Sequence, residues 1–191
     1  MIEYINENEL TEVFQSAYKR QHSTETALLR VHNDIMRAID EHRSVVLLLL
    51  DLSAAFDTVD HYILLERLTS CFGIKNSALT WFASYLQNRH QFVSVKGHTS
   101  NDFELCYGLP QGSVLGPLLY LLYTYPLGDI VRSHDMSFHF YADDSQIYLS
   151  FESTTPGDVT VSKMEACIRD IGKWMTSNKL KLNTLKRQNY L

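Results

Sequence analysis

Ser44-Val-Val-Leu-Leu-Leu-Leu-Asp51 is short, β-branched at its start and apolar at successive positions. A run of that length without alternation suits a strand buried on both faces at the centre of a sheet. Asp51 then stands at the C-terminal edge of that strand, where ligand sites of α/β sheets form. The plainer reading is an aspartate capping the following turn, since position in a fold is weak evidence of function by itself.

Outward from this strand the pattern alternates. Residues 1–22 are polar without clear periodicity. Ser23 is a good helix N-cap with Glu25 in the first turn, and Leu28, Val31, Ile35, Ala38 and Ile39 recur at helical spacing to Glu41. Helices are expected over 60–72, closed by Gly73, and over 77–88. Gln91–Val95 and Phe103–Tyr107 read as a hairpin around residues 97–100. Gly108-Leu-Pro-Gln-Gly112 opens an apolar segment to about Tyr125. Ser137–Tyr141 and Gln146–Phe151 read as strands separated by Ala142-Asp-Asp-Ser145, and 158–175 as an amphipathic helix through Val161, Met164, Ile168, Ile171 and Met175. Leu180 and Leu182 close a short alternating segment.

The 191 residues are 45% hydrophobic and 20% charged, which allows a real core without staples and excludes a disordered tail or a disulfide-dense miniprotein. No apolar run is long enough to span a bilayer, and the N-terminus lacks a signal-peptide pattern. Three cysteines without a CxxC pair read as reduced core cysteines. An intracellular protein, nuclear or cytoplasmic and not secreted, is therefore expected. The net charge is −5, with ten basic against twenty acidic residues over 1–162 and seven against two over 163–191. A basic chain would have argued for nucleic acid; this balance allows either a solvated acidic face or carboxylates clustered around cations.

Three stretches carry chemistry. Asp51 and Asp57 bracket Leu52-Ser-Ala-Ala-Phe56. Phe140-Tyr-Ala-Asp-Asp-Ser145 sets two carboxylates side by side in a tight turn. A plain hairpin is the bland alternative, yet two ionised neighbours are more easily held if a divalent cation neutralises them. Mg²⁺ takes hard oxygen ligands and needs only one or two protein carboxylates beside phosphate and water. In Gly108-Leu-Pro-Gln-Gly-Ser-Val-Leu-Gly-Pro117, glycines permit close backbone approach and a helix start favours phosphate, without the lysine of a Walker loop.

Taken in order, these stretches, with Gln15-Ser-Ala-Tyr-Lys-Arg-Gln-His-Ser-Thr-Glu-Thr-Ala-Leu-Leu29 and Trp174-Met-Thr-Ser-Asn-Lys-Leu-Lys-Leu-Asn183, resemble the reverse transcriptase domain of non-LTR (LINE-type) retrotransposons, from about Phe14 to Lys186. The resemblance implies an α+β fold: a polymerase palm whose antiparallel sheet is covered by helices on one face, with partial fingers and no thumb. Residues 1–43 would be the fingers segment and first helix, and 44–191 the palm, in a single domain. It implies RNA-directed DNA synthesis on an RNA template, from a DNA primer and deoxynucleoside triphosphates. Asp51 and Asp143 would bind two Mg²⁺ ions, with Mn²⁺ as a substitute, and Asp144 would be the adjacent catalytic acid. Phe56, Gln111 and Gly112 would bind the nucleotide, and Lys186 would be the general acid toward pyrophosphate. The alternative is a truncated, catalytically inactive remnant that keeps the fold and binds nucleic acid. A template-independent metal phosphohydrolase would leave Phe56 and residues 108–117 without roles. The leading reading requires Asp51 and the 143–144 pair to converge.

Overall fold

A computed structural model of the chain describes residues 1–182 and 188–190. The elements run α1 (Ile2–Glu7), α2 (Thr24–Asp40), β1 (Arg43–Leu50), β2 (Leu52–Ser53), α3 (His61–Ser70), α4 (Asn76–Leu86), β3 (His90–Gln91), β4 (Ser94–Val95), β5 (His98–Thr99), β6 (Phe103–Glu104), α5 (Leu115–Thr124), α6 (Leu127–Ser133), β7 (Ser137–Tyr141), β8 (Asp144–Glu152), α7 (Gly157–Ser177), β9 (Lys181–Leu182) and β10 (Gln188–Tyr190). They form two compact units, one of residues 1–10 and 56–123, the other of 11–55 and 124–191.

The larger unit is built on an antiparallel sheet in the order β10-β1-β8-β7. The quoted strand lies inside it, between β8 and β10, as its continuous apolarity demands. Leu48 pairs with Ile147, and Phe138 pairs with Ile147 from the other side. All three are buried, as are Leu50 and Phe140, which alternate with them on the same face. Residues on the opposite face are covered too: Tyr148 is buried and its hydroxyl donates to Asp34 of α2 at 2.5 Å. The α+β class is as expected, with cover reaching both faces of the sheet rather than one. The reason lies in β1 itself, which offers no polar face to water.

Helix α2 starts where expected, with a reciprocal capping box between Ser23 and Thr26. Its buried stripe is Ala27, Val31 and Ala38, while Leu28 and Ile39 are exposed. Small alanines face inward, so the contact stripe is offset from the one the larger residues suggested. Likewise α7 buries Thr160, Met164, Cys167, Ile171 and Met175, and leaves Val161 outside. Helix α6 was not anticipated. Of the three cysteines only Cys167 is in the core; Cys71 and Cys106 are exposed.

The smaller unit packs α3 against α4 around Leu64, Leu68, Phe72, Phe82 and Leu86, all buried. Asp60 caps α3, its carboxylate accepting from the amides of Tyr62 and Ile63. Gly73, at φ +64°, ends it. The anticipated hairpin is two short ladders, β3 with β6 and β4 with β5, while Tyr107 bridges to Asp60. Within residues 1–22, read as aperiodic, α1 forms and the Tyr4 hydroxyl donates to the Phe72 carbonyl at 3.0 Å.

Candidate active site

Strand register brings the three aspartates to one end of the sheet. β1 runs antiparallel to β8 with Leu50 opposite Ser145, and the next residues at that end are Asp51 on one strand and Asp144 on the other. Neighbouring strands are about 4.8 Å apart. β7 and β8 close with Tyr141 opposite Asp144, so the turn is only Ala142 and Asp143. Asp51, Asp143 and Asp144 therefore share one end of one sheet, although about ninety residues separate the first from the others. Asp51 is also a joint: the chain leaves the four-stranded sheet there and pairs Leu52 with Leu182 in a second small sheet. Asp51 and Asp143 are half-buried and Asp144 is exposed.

The turn is strained and held. Ala142 has φ +55°, a left-handed conformation that a non-glycine residue adopts at about 1–2 kcal/mol. Gln15 grips it. The Ala142 amide donates to Gln15 Oε1 at 3.0 Å, and Gln15 Nε2 donates to the Ala142 carbonyl at 3.3 Å. Each such bond contributes about 0.5–1.5 kcal/mol net, enough together to offset the strain. Gln15 itself is buried, and its Oε1 also accepts from the Ala17 amide at 2.9 Å. The backbone around it adds a parallel bridge to the edge of β7, with the Phe140 amide donating to the Phe14 carbonyl and the Ser16 amide to the Phe140 carbonyl. Behind it, buried Glu12 accepts from Arg132 at 2.5 and 2.6 Å, in a space that a Cβ on Gly128 would fill. Burial, then the charge of Asp143, raises the Tyr18 phenol above its ordinary value.

The Gly108–Pro117 loop belongs to the smaller unit and docks on the segment after Phe56. The Gly108 amide donates to the Val59 carbonyl at 2.8 Å and the Leu109 amide to the Phe56 carbonyl at 2.9 Å. His61 Nε2–H donates to the Gly108 carbonyl at 2.7 Å. Gly108 sits at φ +87°, and a Cβ there would meet the Asp57 carbonyl at 3.1 Å, the close approach that its residue type suggested. Gln111 Nε2 donates to Asp57 at 2.9 Å. Gln111 and Gly112 are exposed, and Ser113 Oγ accepts from the Gly116 amide at the start of α5. Phe56 is half-buried and stacks on fully buried Tyr120, with centroids 4.6 Å apart. Lys186 lies outside the described residues.

Sequence reasoning quoted Gln15 within a motif but gave it no role. No periodicity or spacing announces a contact across 127 residues. The partners of Phe56 and Gln111, Tyr120 and Asp57, were missed for the same reason.

Among the described residues no three His, Cys, Asp or Glu side chains form a ready-made metal cage. The donors at the 51/143/144 corner are hard carboxylate oxygens. They fit Mg²⁺ as a partial ligand set, to be completed by water and phosphate.

The whole chain, residues 1–191, matches the family model described as reverse transcriptase (RNA-dependent DNA polymerase). The chain belongs to that family. It is 29% identical over 181 residues to the RNA-directed DNA polymerase from mobile element jockey of Drosophila melanogaster, covering 92% of this chain and 19% of that protein. It is 33% identical over 161 residues to the probable RNA-directed DNA polymerase from transposon X-element of the same organism, covering 84% of this chain and 16% of that one. These mobile-element relatives agree with the non-LTR branch that the motifs suggested. The chain spans about a fifth of their length. Its fold matches telomerase from Candida tropicalis in complex with a fragment of telomeric RNA, at TM-score 0.72 and 12% identity over 97% of this chain and 32% of that one. The apo form of that enzyme matches at 0.71 and 13%, over 99% and 35%. Among the described residues no helix is long and apolar enough to cross a membrane.

Proposed function

We propose that this chain is the palm, with part of the fingers, of an RNA-directed DNA polymerase, joining deoxynucleotides to a DNA primer on an RNA template. The observation that carries the reading is the register that sets Asp51 at the same end of the sheet as Asp143 and Asp144 in a chain of this family. In the reaction the primer 3′-oxygen bonds to the α-phosphorus of the triphosphate, the bond to pyrophosphate breaks, and the 3′-hydroxyl proton goes to solvent. When bound, two Mg²⁺ ions, or Mn²⁺ in their place, would supply positive charge at the 3′-oxygen and at the pyrophosphate. Asp51 and Asp143 would hold the ions, and Asp144 would deepen the negative field at the corner. The turn is set before substrate arrives, so its charge is preorganised. Phe56, stiffened by its stack on Tyr120, excludes a 2′-hydroxyl at the sugar. Gln111 and Gly112 take the nucleotide from the loop, Gln111 fixed in orientation by Asp57. Lys186 is the proposed acid toward pyrophosphate.

Primer extension on a homopolymer RNA template with Mg²⁺ tests this. Incorporation that Asp143→Asn lowers on the order of 10²–10³-fold or more is the expected result. Duplex binding without incorporation would instead assign the chain as an inactive remnant, and phosphate release without template would assign a phosphohydrolase.

A further inference from the structure

We propose that Gln15 is a positioning residue for the Ala142–Asp143 turn, holding the Asp143 carboxylate where it can share an ion with Asp51. The inference rests on the carboxylate reading above and adds a residue that acts on that site from a segment remote in sequence.

Three observations carry it. The Gln15 amide makes a two-point pair with the backbone N–H and C=O of Ala142, the residue immediately before Asp143. Ala142 is held at φ +55°, a conformation that would relax if the pair were lost, and its relaxation would swing the next Cα–Cβ bond. Gln15 is itself fixed: it is 4% exposed, its oxygen takes a second bond from Ala17, and its backbone bridges to Phe140. A glutamine that merely satisfied buried polar groups could bond any backbone. This one has both ends of its amide on the single strained residue of the turn. Asparagine would be too short to reach from the same backbone position, and glutamate could accept from Ala142 but not donate to it.

The test uses the chain with Mn²⁺ as the probe, followed by the free-ion electron paramagnetic resonance signal, and amide hydrogen exchange read at Ala142. The variants are Gln15→Met, which keeps size and removes the bonds, Ser16→Ala, and Asp143→Asn. Ser16 is a buried neighbour whose Oγ lies 2.8 Å from His139 Nε2 and bonds nothing in the turn. Gln15→Met is expected to speed Ala142 exchange and weaken Mn²⁺ binding by about three- to ten-fold, the effect of losing one or two buried hydrogen bonds. Ser16→Ala is expected to change Mn²⁺ affinity by less than about two-fold, as a site outside the network should. In an Ala142→Gly background, where the positive φ is unstrained, the Gln15→Met effect on Mn²⁺ should shrink, giving a coupling that a purely structural role would not produce. Wild-type Mn²⁺ affinity in Gln15→Met, or equal losses in Gln15→Met and Ser16→Ala, overturns the proposal. If Asp143→Asn binds Mn²⁺ as the wild type does, the carboxylate reading has failed and the positioning role with it; the Ala142 exchange then tells separately whether the grip itself exists. Should Gln15→Met not fold, Gln15→Asn keeps a polar amide that is too short to reach Ala142, and unaltered Ala142 exchange in that variant overturns the grip.

Discussion

The Ala142–Asp143 turn and the Gly108–Gly112 loop both carry motif residues on strained backbone, and they are held in opposite ways. The turn has two residues, one at φ +55°, and its support is a buried side chain backed by a half-buried ion pair, Glu12 with Arg132. The loop uses glycine where φ is +87°, is anchored at its root by backbone bonds to Phe56 and Val59 and by His61, and leaves Gln111 and Gly112 in solvent. Where alanine occupies a left-handed position, the fold must supply the restraint from outside. Where glycine occupies it, the backbone accepts the conformation freely, and only the close approach to Asp57 dictates the residue. The difference suits a carboxylate held from within the fold at one place and a solvent-facing polar contact at the other.

Three experiments test this contrast. Glu12→Ala removes the buried partner of Arg132 behind the gripping segment and leaves it paired with Asp129 alone. Arg132 is 42% exposed, so the expected loss is about 1–3 kcal/mol rather than the 3–5 of a fully buried pair. Urea unfolding checks it, and a loss below a few tenths would show that the segment holds without its ion pair. Gly108→Ala meets both a left-handed φ and the Asp57 carbonyl, and should lose about 1–2 kcal/mol by the same measurement. Gly112→Ala has only the φ to meet, with nothing within 4 Å of its Cβ, and should lose less. Equal losses would mean that the close approach to Asp57 is not what requires glycine at 108.

The third experiment is a pH dependence on the turn side. Burial lowers the His139 pKa below its ordinary 6.5, as do the charges of Arg30, His22 and Lys19, while Asp34 opposes them. The unfolded chain then binds the proton more readily than the folded one. Stability from this group is complete above pH 6.5 and is lost as pH falls from there toward the lower folded value. A His139→Gln variant should show a flatter stability profile between pH 7.5 and 5.5; an unchanged slope would mean that another group carries it.

Legibility differed along the same lines. The strand 44–50 could be read from its continuous apolar run, and α2 from Ser23 and its periodicity, because hydrophobic pattern and capping are local. The place of Asp51 beside the two-acid turn followed from motif order and strand adjacency. Ser145 and Asp144 were read as turn and proved to be strand, since the register with β1 extends the ladder to Leu50–Ser145. The exposed face of α2 was misjudged because Leu28 and Ile39 are apolar but the sheet admits the smaller Ala27 and Ala38.

What the sequence determined alone was the inventory: a strand apolar on both faces, carboxylates at its end and in a hairpin, glycines in a loop, and the family that such an order marks. Hydrophobic period, backbone freedom and side-chain chemistry are properties of neighbouring residues, so they can be read in one dimension. Which side chain grips which turn is settled in three dimensions. Gln15 with Ala142, Glu12 with Arg132 and Phe56 with Tyr120 depend on register and on the meeting of remote segments, and a hydrogen bond a few tenths of an ångström too long or an aromatic ring on the wrong face leaves no trace in the order of residues.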